Sequence, residues 1–259
     1  MKPARVLSER GGAGVGYLTL NRAEKRNALD RELVGALLAE IRAADADAEV
    51  RVVVLRGAGS DFCAGADLAQ LERIAAGAGP VENLDDAAGI AELLVAMRRA
   101  TKPIIAAVHG HAIAGGAGLA TACDIILAAD DAVFGYPEVR LGFVPAMVMA
   151  LLRRAVGEKV AFELVARGGR IDAREAHRLG LVNEVHPRDG FADAVDGYAR
   201  DLATRSPSAL RLIKRLFYGT DGMSFEDAIA RGVEVNVLAR MTEDTRAGVR
   251  RFLEKDGAD

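Results

Sequence analysis

Between Pro103 and Asp124 the chain reads PIIAAVHGHAIAGGAGLATACD, and this stretch narrows the possible folds most. Ile104 to Val108 is an unbroken apolar run, the pattern of a strand covered on both faces. Gly110, Gly115, Gly116 and Gly118 then break the run. Ala117 to Cys123 are small or apolar and suit a tightly packed helix. Glycines in the turn let backbone approach a ligand closely. A helix that begins near Gly115 directs unpaired N–H groups and a positive dipole end outward. Such a site suits a phosphate or a developing oxyanion. A packing turn between strand and helix fits the same letters equally well, because a short glycine cluster is a weak motif.

The same succession recurs upstream. Val52 to Leu55 reads as a buried strand that ends at Gly57-Ala58-Gly59. Asp61-Phe62-Cys63-Ala64-Gly65-Ala66-Asp67-Leu68 is then a second glycine turn, with a helix expected behind it. Gly11 to Gly16 (GGAGVG) precedes a strand, where a phosphate loop needs a helix, so a hairpin turn is expected. Asp30 to Ala44 has helical periodicity with Asp30 as N-cap. Residues 76–86 are rich in Gly, Pro, Asn and Asp and read as a mobile loop before a helix over Ala87 to Arg99. Asp124 to Ala129 is the next strand, Phe134 to Glu138 a turn carrying a carboxylate, and Pro145 the start of an apolar helix. From Glu158 the pattern is helical apart from a short strand near Leu181 to His186. Ser206-Pro207, Ser224 and Thr242 start three further helices. Strands alternating with helices, followed by helices only, imply an α/β core and a helical C-terminal region.

Composition excludes several classes. The 259 residues allow one large domain or a domain with an appendage. A net charge of −3 without a long basic run argues against a nucleic-acid partner. No uncharged apolar run reaches the ~18 residues of a membrane helix. The first residues lack the apolar core of a signal peptide, so a cytoplasmic protein is expected. Cys63 and Cys123 make no disulfide framework, which fits a reducing compartment. There is no G-x-S-x-G nucleophile elbow. His109 and His111 lack a third ligand nearby and no HExxH occurs, so no metal is expected. Cys63 has no assigned base and reads as a bystander thiol. What remains is two glycine turns and one carboxylate. Backbone N–H groups from both turns can converge on one carbonyl oxygen and stabilise an enolate-like oxyanion. Glu138, held behind Pro137, can act as a rigid general acid/base, although a solvated surface glutamate reads the same way.

Those residues resemble the crotonase family, also called enoyl-CoA hydratase/isomerase. Four motifs carry the resemblance: NRAEKRNAL, FCAGADL, AVHGHAIAGGAGLATACDI and FGYPEVRLGFVP. It extends from LNRAEKRNAL (20–29) to RFLEKD (251–256). The resemblance implies an α/β superhelix of repeated β-β-α units, with a core over residues 1–200 and a C-terminal helical region over 201–259 that serves oligomerisation. It implies an acyl-CoA thioester substrate, no cofactor beyond that coenzyme A, and a homotrimer or a homohexamer of two trimers. By motif position the oxyanion hole is the backbone N–H of Ala66 and of Gly115, and Glu138 is the catalytic carboxylate. Lys25, Arg26, Ala64, Asp67 and Leu68 fall where the family contacts CoA, as do Phe252 and Lys255 near the C-terminus, often from a neighbouring subunit.

Three departures stand out. The family's second hydratase glutamate falls at Gly118, in GGAGL where many hydratases read GGGCEL. A lysine common after the oxyanion turn is Ala69 here. The frequent PGAGGTQRL is PAMVMALLRR, which puts Met147 and Met149 on the helix after Pro145, at an acyl pocket or in the core. The expected activity is hydration of a 2-enoyl-CoA with Glu138 as base and proton relay. The alternative is a 3-ene to 2-ene isomerase with Glu138 as a single proton shuttle; a non-catalytic acyl-CoA-binding member is a further one. Glu72, Glu82 and Glu92 are candidates to replace the carboxylate missing at Gly118.

Overall fold

The structure, a computed structural model, describes residues 3–77 and 79–256; the side chains of Leu68, Ile74, Lys255 and Asp256 lie outside that description. The chain opens with β1 (Val6–Arg10), β2 (Val15–Leu20), α1 (Arg31–Ala46) and β3 (Val52–Gly57). Two helices follow, α2 (Leu68–Ala75) and α3 (Pro80–Arg99). The organising stretch becomes β4 (Ile104–Val108), β5 (His111–Ile113) and α4 (Gly115–Ala122). Then come β6 (Ile125–Ala129), β7 (Val133–Gly135), α5 (Ala146–Val156), α6 (Glu158–Arg167), β8 (Arg170–Asp172), α7 (Ala173–Arg178) and β9 (Glu184–His186). Four helices close the chain: α8 (Phe191–Ala203), α9 (Pro207–Gly219), α10 (Phe225–Arg240) and α11 (Glu243–Asp256).

The main sheet has the order β1-β2-β3-β4-β6-β9, antiparallel between β1 and β2 and parallel from there on. Both faces are covered, which is why its strands read as continuous apolar runs rather than alternating ones. Val53, Leu55, Ile104, Ala106 and Val108 face one core, which also takes α1, α3 and α4. Val52, Val54, Ile105, Ala107 and Leu127 face the other. There α8 lays down Phe191, Val195, Ala199 and Ala203 at four-residue spacing, one helical stripe. A smaller sheet, ordered β5-β7-β8, was not foreseen from sequence. Its strands have three residues each, too few for a periodicity to register.

Gly11 to Gly16 spans the β1–β2 hairpin connection, as expected. Asp30 caps α1, its side chain accepting from Leu33 N at 2.7 Å. The loop expected over 76–86 is a correction: α3 begins at Pro80. Proline there takes the first-turn position, where its missing N–H costs nothing, and Glu82 favours the positive helix end. Asp86 is also tied by Arg31 at 3.0 Å. No helix among the described residues is long and apolar enough to cross a membrane.

The C-terminal helices are joined to the core by a buried charge. Lys214 on α9 is 6% exposed. Its Nζ donates to the carbonyls of Met97 and Lys102, both at 3.0 Å, and to Asp124 Oδ2 at 2.7 Å. The same carboxylate accepts from Tyr218 Oη at 2.8 Å and Ile104 N at 2.7 Å. A buried pair adds little over a well-packed apolar pair, but removing one member strands the other charge. Lys214→Met is therefore expected to lower unfolding stability by about 3–5 kcal/mol. Urea denaturation measures it, and an unchanged midpoint would refute this role for Lys214.

Candidate active site

The site grows from backbone packed on backbone. After β3 the segment Phe62–Cys63 runs beside His109–Ile113. Phe62 N donates to His109 O and Cys63 N to His111 O, both at 2.9 Å, and Ile113 N donates back to Cys63 O at 3.0 Å. Two glycines make this approach possible. A Cβ on Gly116 would stand 2.2 Å from Cys63 O, and one on Gly65 would stand 2.7 Å from Ile113 O and 3.5 Å from Gly115 N. The two glycine turns therefore meet, as the sequence reading required.

The expected oxyanion donors sit on either side of this seam. Each follows a residue of positive φ: Gly65 at +91° precedes Ala66, and Ala114 at +51° precedes Gly115. Glycine adopts such a φ freely, whereas alanine is strained there. Ala114 is held by its N–H, which donates to Gly135 O at 2.8 Å. Among the described residues, neither Ala66 N nor Gly115 N donates to a protein acceptor. Gly115 N also opens α4, so the helix dipole adds to its positive field.

The bond from Ala114 to Gly135 brings in the third element. Gly135 ends β7, and Pro137–Leu141 turns as a short 3₁₀ helix that carries Glu138. The buried Tyr136 Oη lies 3.2 Å from Thr121 Oγ1 on α4 and pins the segment to that helix. Glu138 is half-buried, and its Oε2 is buried with no hydrogen-bond partner. Burial pushes its pKa up, against a smaller opposing effect of its own backbone N–H. A partnerless carboxylate with a raised pKa can both take and return a proton near neutral pH.

The missing second carboxylate has a structural counterpart. Gly118 lies on α4, its φ outside the left-handed range. A Cβ there would come within 2.4 Å of Val148 Cγ2, with the other nearby atoms also from Val148. Val148 on α5, rather than Met147, fills the space. Met147 lines a cavity of about 1320 Å³ between α3, α5, α9 and α10, and Met149 is partly exposed. Glu82 and Glu92 are engaged at the surface by Arg73 (3.4 Å) and Arg42 (2.7 Å), and Glu72 is exposed on α2.

The residues expected at CoA are distributed unevenly. Lys25 and Arg26 are exposed on the turn before α1, where Arg26 O accepts from Ala64 N at 2.9 Å. Asp67 turns inward. It pairs with Arg22 at 2.5 Å, and its Oδ1 accepts from Ala69 N at 2.7 Å at the start of α2. Burial opposes ionisation of Asp67, but the Ala69 N–H and the Arg22 guanidinium prevail and lower its pKa. Its carboxylate thus serves the turn. Phe252 is exposed on α11, which packs on α9 and α10. The side chains of Leu68 and Lys255 lie outside the described residues.

Sequence reading missed the polar frame of the first turn. Asn27 is fully buried at φ +55°, and its Nδ2 donates to Ala58 O at 2.9 Å and Asp61 O at 2.8 Å. Asp61 Oδ1 accepts from His111 N at 3.0 Å and His111 Nδ1 at 2.6 Å, and Ser60 Oγ bonds Oδ2 at 2.7 Å. An Asn or Asp in a glycine turn is the available signal, since both residues bond nearby backbone. The two histidines do not converge: His109 Nε2 bonds Gly59 O at 3.0 Å. Cys63 is buried, its Sγ on Asn27 O, with burial pushing its thiol up to about 12, which is an inert thiol. No cluster of metal-ligating side chains exists among the described residues.

Comparison with known proteins agrees with this geometry. The model of the enoyl-CoA hydratase/isomerase family matches residues 10–259. A putative enoyl-CoA hydratase of Thermus thermophilus is 42% identical over 250 residues, 96% of this chain and 98% of that one. The 2,3-dehydroadipyl-CoA hydratase of Escherichia coli is 35% identical over 93% of each chain. The crystal structure of an enoyl-CoA hydratase from Mycobacterium smegmatis superposes with a TM-score of 0.92 at 32% identity, covering 98% of this chain and 97% of that one. The chain belongs to the enoyl-CoA hydratase/isomerase family and has the crotonase fold. It is an enzyme of that family.

Gly116→Ala tests the seam. Helix propensity alone favours alanine by about 1 kcal/mol. The added Cβ would instead meet backbone that cannot swing aside, so this substitution is expected to lower both the melting temperature and turnover. Gly35→Ala on exposed α1, where a Cβ meets nothing within 4 Å, is expected to raise the melting temperature. Calorimetry on both variants checks the contrast.

Proposed function

We propose that the protein adds water across the double bond of a 2-enoyl-CoA thioester. The thioester oxygen binds the N–H groups of Ala66 and Gly115, which stabilise the enolate as it forms. Glu138 takes a proton from water while the water oxygen attacks C3. The same carboxyl then returns a proton to C2, so one residue closes the cycle and no cofactor beyond the substrate's coenzyme A takes part. The buried, partnerless Oε2 of Glu138 carries this reading. The hydratase names of the relatives support it. Lys25, Arg26, Ala64 and Leu68 flank the hole and are proposed to hold CoA, with Phe252 and Lys255 reaching it from a neighbouring subunit. Asp67 contributes by keeping that turn in place. A second reading is 3-ene to 2-ene isomerisation, favoured by the apolar Val148 where a second carboxylate would stand. It needs only a proton shuttle by Glu138.

Glu138→Gln is expected to lower kcat on crotonyl-CoA by ~10²–10⁴ and to leave CoA binding intact. Near wild-type turnover would overturn the assignment. The raised pKa sets the sign of two further effects. Ionised Glu138 costs the folded state, a cost absent below the ordinary carboxylate pKa of about 4.3 and complete above the raised folded value. Glu138→Gln should therefore melt higher than wild type at pH 7, with the difference fading on acidification. The wild-type rate should rise with pH through an apparent pKa above the ordinary range.

We propose further that the protein is a homotrimer or a hexamer of two trimers. The C-terminal helices leave Ile213, Phe217, Ile229, Val233 and Val237 more than half exposed, which supports burial against other copies. Light scattering is expected to give a mass of three or six chains of 27.3 kDa, and a single-chain mass would refute it.

A further inference from the structure

Two buried hydroxyl groups outside the mechanism above meet between α4 and the turn that carries Glu138. Tyr136 and Thr121 are 0% and 3% exposed, and their oxygens lie 3.2 Å apart. The protons of this pair can be assigned. Thr121 Oγ1 donates its one proton to Ala117 O, 2.7 Å away on the same helix. Tyr136 Oη must then be the donor to Thr121 Oγ1. Among the described residues this is the only hydrogen bond of the Tyr136 hydroxyl. It is also the second of two ties between this segment and α4. The first is Ala114 N to Gly135 O, at 2.8 Å. Ala114 and Thr121 are seven positions apart, about two helical turns, and so lie on one face of α4. Gly115, with its free N–H, directly follows the first tie. Only Pro137 separates Tyr136 from Glu138, and its ring fixes φ, so a rotation of Tyr136 is passed on to the carboxylate. Burial raises the Tyr136 pKa, the Thr121 bond lowers it, and the charge of Glu138 raises it again, which puts hydroxyl and carboxylate within electrostatic reach.

We infer that Tyr136 is a positioning residue for Glu138, and that its hydroxyl bond to Thr121 fixes the carboxylate relative to the helix that carries the Gly115 N–H. For its kinetic consequence the inference rests on the proposed acyl-CoA reading. In that reading the thioester oxygen sits on the Gly115 N–H while Glu138 exchanges a proton with C2, the carbon next to the thioester carbonyl. Two segments thus act on one substrate, and the Tyr136–Thr121 bond holds the interval between them. A single tie at Ala114 would leave the turn free to pivot. Tyr136→Phe removes the second tie with little other change, because the ring still packs and Thr121 keeps its bond to Ala117 O. Thr121→Val removes the acceptor at equal shape, and Thr121→Ser retains it. A carboxylate no longer held in place is wetter, and its pKa falls toward the ordinary range.

The test uses the full-length wild type, Tyr136→Phe, Thr121→Val, Thr121→Ser, the double variant Tyr136→Phe/Thr121→Val, and Tyr17→Phe as control. Tyr17 gives its hydroxyl to Asp196 of α8 on the other face of the main sheet. Each protein is melted thermally and assayed on crotonyl-CoA. Each is also titrated by carbon-13 NMR with labelled glutamate carboxyls, Glu138→Gln assigning the resonance. Tyr136→Phe and Thr121→Val are each expected to lower kcat by ~10-fold or more, with KM and CoA affinity nearly unchanged. The double variant is expected to lose no more than the worse single variant, since both changes break one bond. Thr121→Ser and Tyr17→Phe should keep wild-type kcat. Glu138 is expected to titrate lower in Tyr136→Phe and Thr121→Val than in wild type, and unchanged in Tyr17→Phe. Wild-type kcat in a folded Tyr136→Phe would overturn the positioning role, and so would additive losses in the double variant. An equal loss of kcat in Tyr17→Phe would reduce the effect to general stability and overturn the role as well. A wild type without turnover would overturn the acyl-CoA reading by itself. The carboxyl titration needs no substrate and still decides whether Tyr136 holds Glu138, an unchanged Glu138 titration in Tyr136→Phe being the result that says it does not.

Discussion

Everything in this site depends on one contact, the laying of the turn after β3 directly on the turn after β4. The contact is between main chains. A single Cβ at Gly116 or Gly65 would come within 2.2 Å or 2.7 Å of a carbonyl oxygen, closer than any side chain tolerates. Removing the side chains lets the two backbones exchange hydrogen bonds as a short parallel ladder. Beyond this ladder, Ala66 N and Gly115 N donate to no protein acceptor among the described residues. The proposed oxyanion hole would be built from these main-chain donors at the end of sheet-like packing. Main-chain donors held in this way would need no reorganisation when charge develops.

Rigid polar groups keep that contact in register. Asn27 spans the first turn from inside, Asp61 ties it to His111, and Arg22 with Asp67 closes its far end. Burial pushes the Asp61 carboxyl toward protonation, but hydrogen bonds from Ser60 and His111 outweigh it and hold the group ionised. Its stabilising contribution is present above the ordinary carboxylate pKa and is lost as pH falls through the lowered folded value. Further out, Lys214 and Asp124 join α9 to the start of β4 and to the end of α4. The helical C-terminal region is thereby connected to the same β4–α4 unit that carries Gly115.

Glu138 is the opposite kind of group. The carboxylates of Asp61 and Asp67 are saturated with donors and their pKa values fall, whereas Glu138 keeps one buried oxygen unbonded and its pKa rises. The saturated groups stabilise the fold and are fixed as anions. The unsaturated one destabilises the folded state when charged and is free to exchange a proton. On α5, Val148 packs an aliphatic group against Gly118 of α4.

Much of this was written in local sequence. Unbroken apolar runs at Val52 and Ile104 announced strands buried on both faces, and Asp30, Ser206 and Ser224 marked helix starts that the structure bears out. The two glycine turns and Glu138 were legible because glycine and a rigidly placed carboxylate have local reasons to occur. The small β5-β7-β8 sheet was not, since three-residue strands carry no period and exist only through their partners. Nor was the helical start of α3 at Pro80, which a Gly/Pro/Asn/Asp-rich composition disguised as a loop. The strained φ of Ala114 has no sequence mark, because its cause is a hydrogen bond to Gly135 on another strand. The meeting of Gly118 with Val148 is of the same kind. The sequence by itself determined the strand–turn–helix units and which residues are chemically able to act. Only the tertiary structure decided which of them touch, because contacts between distant segments arise from packing, and packing has no local signature.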